Sequence, residues 1–501
     1  MKKGILLLLI FAIMSNALAQ FFCGNNDTLE ISNRSDCSRY KPQNAEDTML
    51  YMQRFVPDES TPVKTIPLNI NVWRNDDGTG NWWQDSQAFR DSMQVVIGYL
   101  NYIYWDNVPF SDTIFDAVFI PDTKIRFEID TFYYYNNTTI AHKVYPGDFN
   151  DYLSQNHPER LKRFNIHLSI GYSGTIAGWS SGIGSAYQCF VCLRQYQQPS
   201  LWALATTMAH EFGHNCGLNH SYKTGARETI DITDCEFLWD LFGHTKQPWC
   251  NEDTAATHVC FHDGGWSCEP SDPTTTCTNN IMGGTYLSRH FTALQCGRIH
   301  RALSVAPIRK YAYGYSSTPY VVSSSQTWDF TRKMYQDIVI DSLATLTITC
   351  TLEIVDSARL IVRPGGKLIV NGGTLTNACE GEMWQGIIVE GNPSLPQYAQ
   401  RQGSVILNNA TVENARNAIT TRGADTNAVY EHTGGIVQAT NTLFRNNRRS
   451  VEMTLYENRN GVGDAIDNVS HFNNCTFRID SANLFPANNC TFVQHVSLWG
   501  V

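Results

Sequence analysis

The stretch HEFGHNCGLNH, residues 210–220, constrains this chain more than any other, because it asks for a helix, a sharp turn and a return within one short segment. His210 and His214 are four apart, so on a helix both imidazoles leave from the same face. Glu211 lies beside that face. Gly217 can take the left-handed backbone that ends a helix and turns the chain, which brings His220 round towards the other two. Three neutral imidazoles that converge hold one Zn2+ ion and leave its fourth position open, which marks a catalytic rather than a structural site. On this reading Glu211 is the general base for a water held there, whose pKa the metal lowers to about 7.

The helix that carries the first two histidines reads LWALATTMAHEFGHN. Leu201, Ala205, Met208 and Phe212 form one apolar face, while Thr207, His210 and His214 line another, so one side packs on a core and the other faces a cleft. Upstream, from Ile66, the texture alternates. IPLNINVWR reads as a strand, QAFRDSMQVVIGYLNYIYW as a helix and TKIRFEIDTFYYY as a strand, followed by a helix through PERLKRF and a strand in NIHLSIGY. That order predicts a layered α/β domain with a mixed sheet.

The pattern HExxHxxGxxH resembles that of the metzincin zinc metallopeptidases, and the resemblance extends downstream. TNNIMGGTY supplies Met282 where that clan has a methionine turn beneath the metal. NNIMGG followed by HFTALQCGRIHRAL is most similar to the pappalysin and cytophagalysin group. The likeness runs from about Ile66 to Leu303 and is densest in its last third. It implies an α/β (α+β) peptidase domain with a mixed sheet and an active-site helix, acting as a zinc endopeptidase on proteins or peptides. His210, His214 and His220 would be the metal ligands, Glu211 the catalytic base, and Gly217 and Met282 structural at the site. FNIHLSIGYSGTIAGWS then stands where those enzymes have the strand and rim that hold substrate. Two departures are visible. Gly284 stands where some members have a tyrosine, with Tyr286 coming later, and a long segment carrying Cys235, Cys250, Cys260, Cys268 and Cys277 separates His220 from Met282, reshaping the primed side of the cleft.

The N-terminus, MKKGILLLLIFAIMSNALAQ, places Lys2 and Lys3 ahead of an apolar run and Ala17-Leu18-Ala19 before Gln20, a bacterial-type secretory leader over residues 1–19. A secreted chain is the expectation, with no later run long enough to span a membrane. The formal net charge of -10, without a basic block, argues against nucleic acid as partner. In an oxidising compartment the 15 cysteines point to disulfides, their odd number leaving one thiol over or a partner elsewhere. Residues 20–62 read as a prosegment or N-terminal strap. Its Cys23 is placed either to ligate the metal and hold the enzyme latent or to pair with Cys37, and the disulfide is the expected outcome. Cys189 and Cys192 are expected as disulfide partners, and Cys216 as a tie from the active-site turn to another loop. His290 and His300 lack ligand spacing and read as structural or exposed. A sugar on the sequon at Asn219 would cover the metal site, so that sequon is discounted.

Residues 63–305 thus make a peptidase-like domain, and residues 306–342, rich in Ser, Tyr and Gly, a linker. From 343 to 501 the chain becomes repetitive: short alternating runs separated by Asn and Gly, with the kernels Asn409-Ala410-Thr411-Val412, Asn441-Thr442-Leu443-Phe444 and Asn474-Cys475-Thr476-Phe477. Stacked coils of an all-β, right-handed parallel β-helix-like domain are the expectation, with an antiparallel sandwich as the alternative. Such a surface suits a carbohydrate or other surface ligand, and the rival to a peptidase is an adhesion protein with a zinc-stabilised module. Calcium sites are left open. NNCTFVQHVSLWGV stops inside a strand-like repeat, so a continuing chain or a covering partner is expected.

Overall fold

A computed structural model describes residues 22–23, 37, 55–109, 118–174, 176–182, 185, 187–193, 200–218, 220, 279–283, 288–379, 381–425, 427–428, 430–485 and 493–498. The leader, most of the strap, Asn219, Gly284, Tyr286 and the five cysteines from Cys235 to Cys277 lie outside the described residues. The chain divides into two units. The first comprises Met1–Glu30, Pro42–Pro57 and Ile66–His300, the second Ile31–Lys41, Asp58–Thr65 and Arg301–Val501.

In the first unit, whose bounds β2 and α4 overrun by a few residues, β1 is Phe22–Cys23, β2 Lys64–Arg74, α1 Gln87–Trp105, β3 Ile125–Asn136, α2 Pro146–Asn156, β4 Phe164–Leu168, β5 Ile176–Ser180, β6 Cys189–Cys192, α3 Leu201–Asn215 and α4 Ala293–Val305. The strands form one sheet in the order β1-β5-β6-β4-β2-β3. Its pairs are parallel at β1–β5, β4–β6 and β2–β4, and antiparallel at β5–β6. This is a mixed sheet with helices packed on it, as the alternation of patterns predicts.

β2 is buried on both faces: Ile66, Leu68, Ile70 and Val72 share one side, while Asn69, Asn71 and Trp73 lie on the other, where Asn69 Nδ2 donates to the Arg160 carbonyl at 3.0 Å and Asn71 Nδ2 to Asn165 Oδ1 at 2.9 Å. On α1 the buried positions Met93, Val96, Ile97, Leu100, Ile103 and Tyr104 recur at helical period. The Tyr104 hydroxyl donates to the Ala209 carbonyl of α3 at 3.1 Å, tying the two helices. PERLKRF is not an α-helix: Pro158–Lys162 is a single 3-10 turn, and the helix lies earlier, at α2, started by Pro146 in its first turn.

The expected pairing of Cys23 with Cys37 is not found. Cys37 is bonded to Cys350 instead, within the second unit. Cys189 and Cys192 are buried thiols rather than disulfide partners, because positions three apart on a strand face opposite sides of the sheet. Cys216 is likewise a buried thiol and ties nothing to another loop.

The second unit is built from three sheets that the chain visits in turn. Sheet I contains Ser316–Val322, Gln336–Ile340, Arg359–Val362, Trp384–Val389, Ala415–Thr420, Arg449–Met453 and Gln494–Leu498. Sheet II holds Gln326–Trp328, Thr345–Ile348, Lys367–Asn371, Ser404–Asn408, Ile436–Thr440 and His471–Asn473, and sheet III Arg332–Met334, Thr351–Ile354, Thr374–Asn377, Thr411–Glu413, Leu443–Arg445 and Thr476–Arg478. Each strand pairs in parallel with the strands three before and three after it. This is consistent with coils of a β-helix and incompatible with the antiparallel sandwich. Four of these strands lie within 316–340, where sequence alone gives a linker; exposed Ser317, Thr318 and Pro319 in the first and buried Arg332 and Lys333 in the third conceal the alternation.

Inward residues stack in columns. Leu352, Leu375, Val412 and Phe444 lie one over another in sheet III, and the ring of Phe444 stacks on Phe477 at 4.8 Å. The recurrent asparagines are explained by the corners. Asn409, Asn441 and Asn474 have φ of 50°, 51° and 52°, a conformation asparagine tolerates better than most residues. Their amides bond to one another from coil to coil, Asn441 Nδ2 to Asn409 Oδ1 at 3.2 Å and Asn474 Nδ2 to Asn441 Oδ1 at 2.7 Å. Among the described residues no helix is long and apolar enough to cross a membrane.

Candidate metal centre

Helix α3 is capped at its start by Ser200, whose hydroxyl accepts from the Ala203 amide at 3.3 Å. Its end is closed by Gly217 at φ +84°. The Leu218 amide donates to the Gly213 carbonyl at 3.0 Å and the Gly217 amide to that of His214 at 2.9 Å, the paired bonds of a Schellman turn. Arg298, buried on α4, donates to the Gly217 carbonyl at 3.2 Å and fixes the turn from outside. The chain is thereby folded back so that His220 faces the helix.

The three imidazoles meet through their ε nitrogens. His214 Nε2 lies 3.1 Å from His210 Nε2 and 3.3 Å from His220 Nε2. Nitrogens held about 2.0–2.1 Å from a tetrahedral zinc stand roughly 3.3 Å from one another, so this donor set fits the ion. The far nitrogens fix the tautomer. His210 Nδ1 lies 2.9 Å from the Ile281 carbonyl and His214 Nδ1 lies 2.7 Å from that of Leu218. A δ N–H donated to a carbonyl leaves the ε lone pair for a metal. Burial first, then the neighbouring His220 and His210, hold the pKa of His214 well below the ordinary histidine value, keeping it in the neutral form a ligand needs.

Glu211 is buried at 1% exposure beside this group, its side chain against Gly178 of β5. Met282 sits in the 3-10 turn Ile281–Gly283, wholly buried. A β-carbon at Gly213 would fall 2.7 Å from its sulfur, so the glycine between the two helical histidines is what lets the methionine pack directly against α3. The structure therefore brings His210, Glu211, His214, Gly217, His220 and Met282 into one place.

Several positioning residues carry no motif. The side chains of Asn280 and Gln295 exchange hydrogen bonds at 2.9 and 3.1 Å, and Asn280 Oδ1 also accepts from the Met282 amide at 3.0 Å. Together they lock the methionine turn onto the start of α4. His290 and His300 are structural: His290 Nδ1 lies 2.6 Å from the Val108 carbonyl and His300 Nε2 lies 2.7 Å from that of Thr123. β1 occupies an edge of the sheet beside β5, with Phe22 opposite Ile176 and Cys23 opposite Gly178.

No family model matches the chain, and no curated protein matches it. Among solved structures, mature mirolysin of Tannerella forsythia in complex with a cleaved peptide is similar with a TM-score of 0.30 and 14% identity, over 48% of this chain and 91% of that one. Metalloproteinase-II from Bacteroides fragilis is similar with a TM-score of 0.21 and 20% identity, over 33% of this chain and 45% of that one. The chain thus spans under half of the Bacteroides protein. At these low overlaps the histidine geometry, rather than the likeness, bears the functional weight.

Proposed function

We propose that the first unit is a zinc-dependent endopeptidase of metzincin type, closest in character to the pappalysin and cytophagalysin group, and that the chain is secreted. The observation that carries this is the convergence of three ε nitrogens at zinc-ligand spacing, with Glu211 on the same helix beside them. Zinc, when bound by His210, His214 and His220, supplies a Lewis acid that polarises a carbonyl and makes water acidic.

The chain's own groups do the rest. Glu211 takes the proton of the attacking water and delivers it to the departing amine, so one carboxylate serves as base and then as acid. Its burial excludes competing bulk water. The carbonyls of Ile281 and Leu218 hold the two helical imidazoles in the correct tautomer. An extended substrate adds to the free edge of β5 through main-chain hydrogen bonds, the edge that β1 covers here. The strap is accordingly an occupant of the substrate strand, and its removal activates the enzyme. Of the described strap residues paired with β5, Cys23 is the one opposite Gly178.

For the second unit the reading is a β-helix that binds carbohydrate or another surface ligand. Hydrolysis of casein, followed with and without 1,10-phenanthroline and after zinc readdition, tests the peptidase. Activity that vanishes and returns is expected, and Glu211→Gln with unchanged zinc content should lose it by orders of magnitude. No hydrolysis under any condition, including after trimming of the strap, would favour an adhesion protein with a zinc-stabilised module.

A further inference from the structure

The ladder of sheet I shifts register at two places, between Gln336 and Ile338 and again deeper in the stack. Between Gly386 and Ile387 the pairing with the next strand shifts, Gly386 facing Asn417 and Ile387 facing Ile419. Gly386 has φ +107°, and a β-carbon there would lie 1.6 Å from the Asn417 carbonyl, so only glycine fits. A bulge of this kind re-aims side chains and is a recurrent feature of sites. Beside it lies a hollow of about 200 Å³ lined by Arg359, Gln385, Ile388, Asn417, Thr420 and Arg422.

We infer that this hollow is a binding site for a hydroxylated organic carboxylate, a sugar acid of the uronate class. The lining is assembled from three successive coils and combines three chemistries. Arg422 makes no hydrogen bond or ion pair among the described residues, and Asn417 Oδ1 has no partner. The carboxylates nearby are engaged elsewhere: Asp337 with Arg359 at 3.2 Å, Glu452 with Arg449 at 2.6 Å, and Glu390 with the Ala424 amide at 2.9 Å. A guanidinium left unspent on the fold, with a second at the same hollow, recognises a carboxylate. The amides of Gln385 and Asn417 and the hydroxyl of Thr420 exchange hydrogen bonds with ring hydroxyls. Ile388, which packs with Val339 and Ile361 on this outer face, offers an apolar floor for the face of a sugar ring.

The site deepens the surface-binding reading of the second unit and is independent of the peptidase. Calorimetric titration of the full chain with galacturonate, trigalacturonate, galactose and sulfate tests it, in the wild type and in Arg422→Gln and Asn417→Ala. Galacturonate should bind at least tenfold more tightly than galactose or sulfate. Arg422→Gln should weaken it tenfold or more, Asn417→Ala several-fold, with the thermal midpoint of each variant unchanged. Tighter binding of the trimer with the same sensitivity identifies a polymer; equal binding identifies the free acid. Sulfate binding as tightly as galacturonate, or galacturonate binding untouched by Arg422→Gln, overturns the site while leaving a sugar-binding surface elsewhere on the unit. Failure of every sugar overturns both.

Discussion

Glu211 rests against Gly178. A β-carbon built at residue 178 falls 2.6 Å from Glu211 Oε1 and 2.8 Å from its Cγ. The Glu211 side chain on helix α3 is thus seated by the backbone of β5, and carboxylate and strand hold each other in place; the proposed function makes that carboxylate the base.

Gly178→Ala should therefore displace the carboxylate without touching a metal ligand. A misplacement of about 1 Å at a reacting group costs on the order of 10²-fold in rate. The expected result is kcat lower by one to two orders of magnitude, with full zinc content and a KM changed far less. A variant with wild-type kcat would mean that Glu211 does not act from this position.

Strand β1 pairs with β5 in parallel, Cys23 facing Gly178 across the backbone. Deletion of residues 20–30 exposes that edge while sparing Cys37 and its bond to Cys350. Peptidase activity of the shortened chain should exceed that of the full chain at least tenfold. If Cys23→Ser alone activates to the same degree, the thiol is the brake; if only the deletion does, occupancy of the strand is. Equal activity of deletion and full chain would show that the strap does not inhibit.

Much of this centre is legible in residues 210–220, because ligand spacing, the helical period and the Gly217 turn are all local. Met282 is legible only through resemblance, since nothing in NNIMGG itself says that its methionine packs on Gly213. Asn280, Gln295, Arg298 and Gly178 are silent in the sequence: Arg298 reaches the Gly217 carbonyl 81 residues away, Gly178 leaves an empty Cβ position for Glu211, and the Asn280–Gln295 pair joins a turn to a helix through side-chain amides that no motif announces. The same distinction explains the cysteines. Proximity in sequence suggests Cys23 with Cys37, yet Cys37 is bonded to Cys350 at a sequence separation of 313, a pairing that no local pattern reveals. In the repeats, the Asn kernels give the corners away because φ near 50° selects that residue, whereas the strands within 316–340 lack such corners and read as a connector.

The amide pair Asn280–Gln295 holds the turn whose Ile281 carbonyl orients His210. Removing such an outer partner lowers metal affinity by about 10–100-fold. Asn280→Ala should shift zinc retention by that factor in competition with a chelator, and Asn280→Asp, which keeps the acceptor for the Met282 amide, should recover part of it. Unaltered zinc affinity in both would separate the methionine turn from the metal.

Two buried histidines outside the ligand set make the first unit sensitive to acid. His167 is fully buried, stacked on Phe149 at 4.9 Å, and its Nδ1 accepts from Trp73 Nε1 at 3.2 Å. Burial pulls its pKa down to about 3 and that of His290 to about 4. Both are neutral in the folded chain at pH 5, whereas in the unfolded chain they take up protons below about 6.5. Since the unfolded state then binds more protons, stability is whole above pH 6.5 and falls as pH drops towards 4, by about 1.4 kcal/mol per histidine per pH unit. Denaturant unfolding followed by tryptophan fluorescence at pH 7, 6 and 5 should show this slope. In His167→Asn, which offers Trp73 another acceptor but has no proton to gain, the slope should be shallower by one histidine's share. An identical slope in the variant would mean that His167 is not held neutral by the fold.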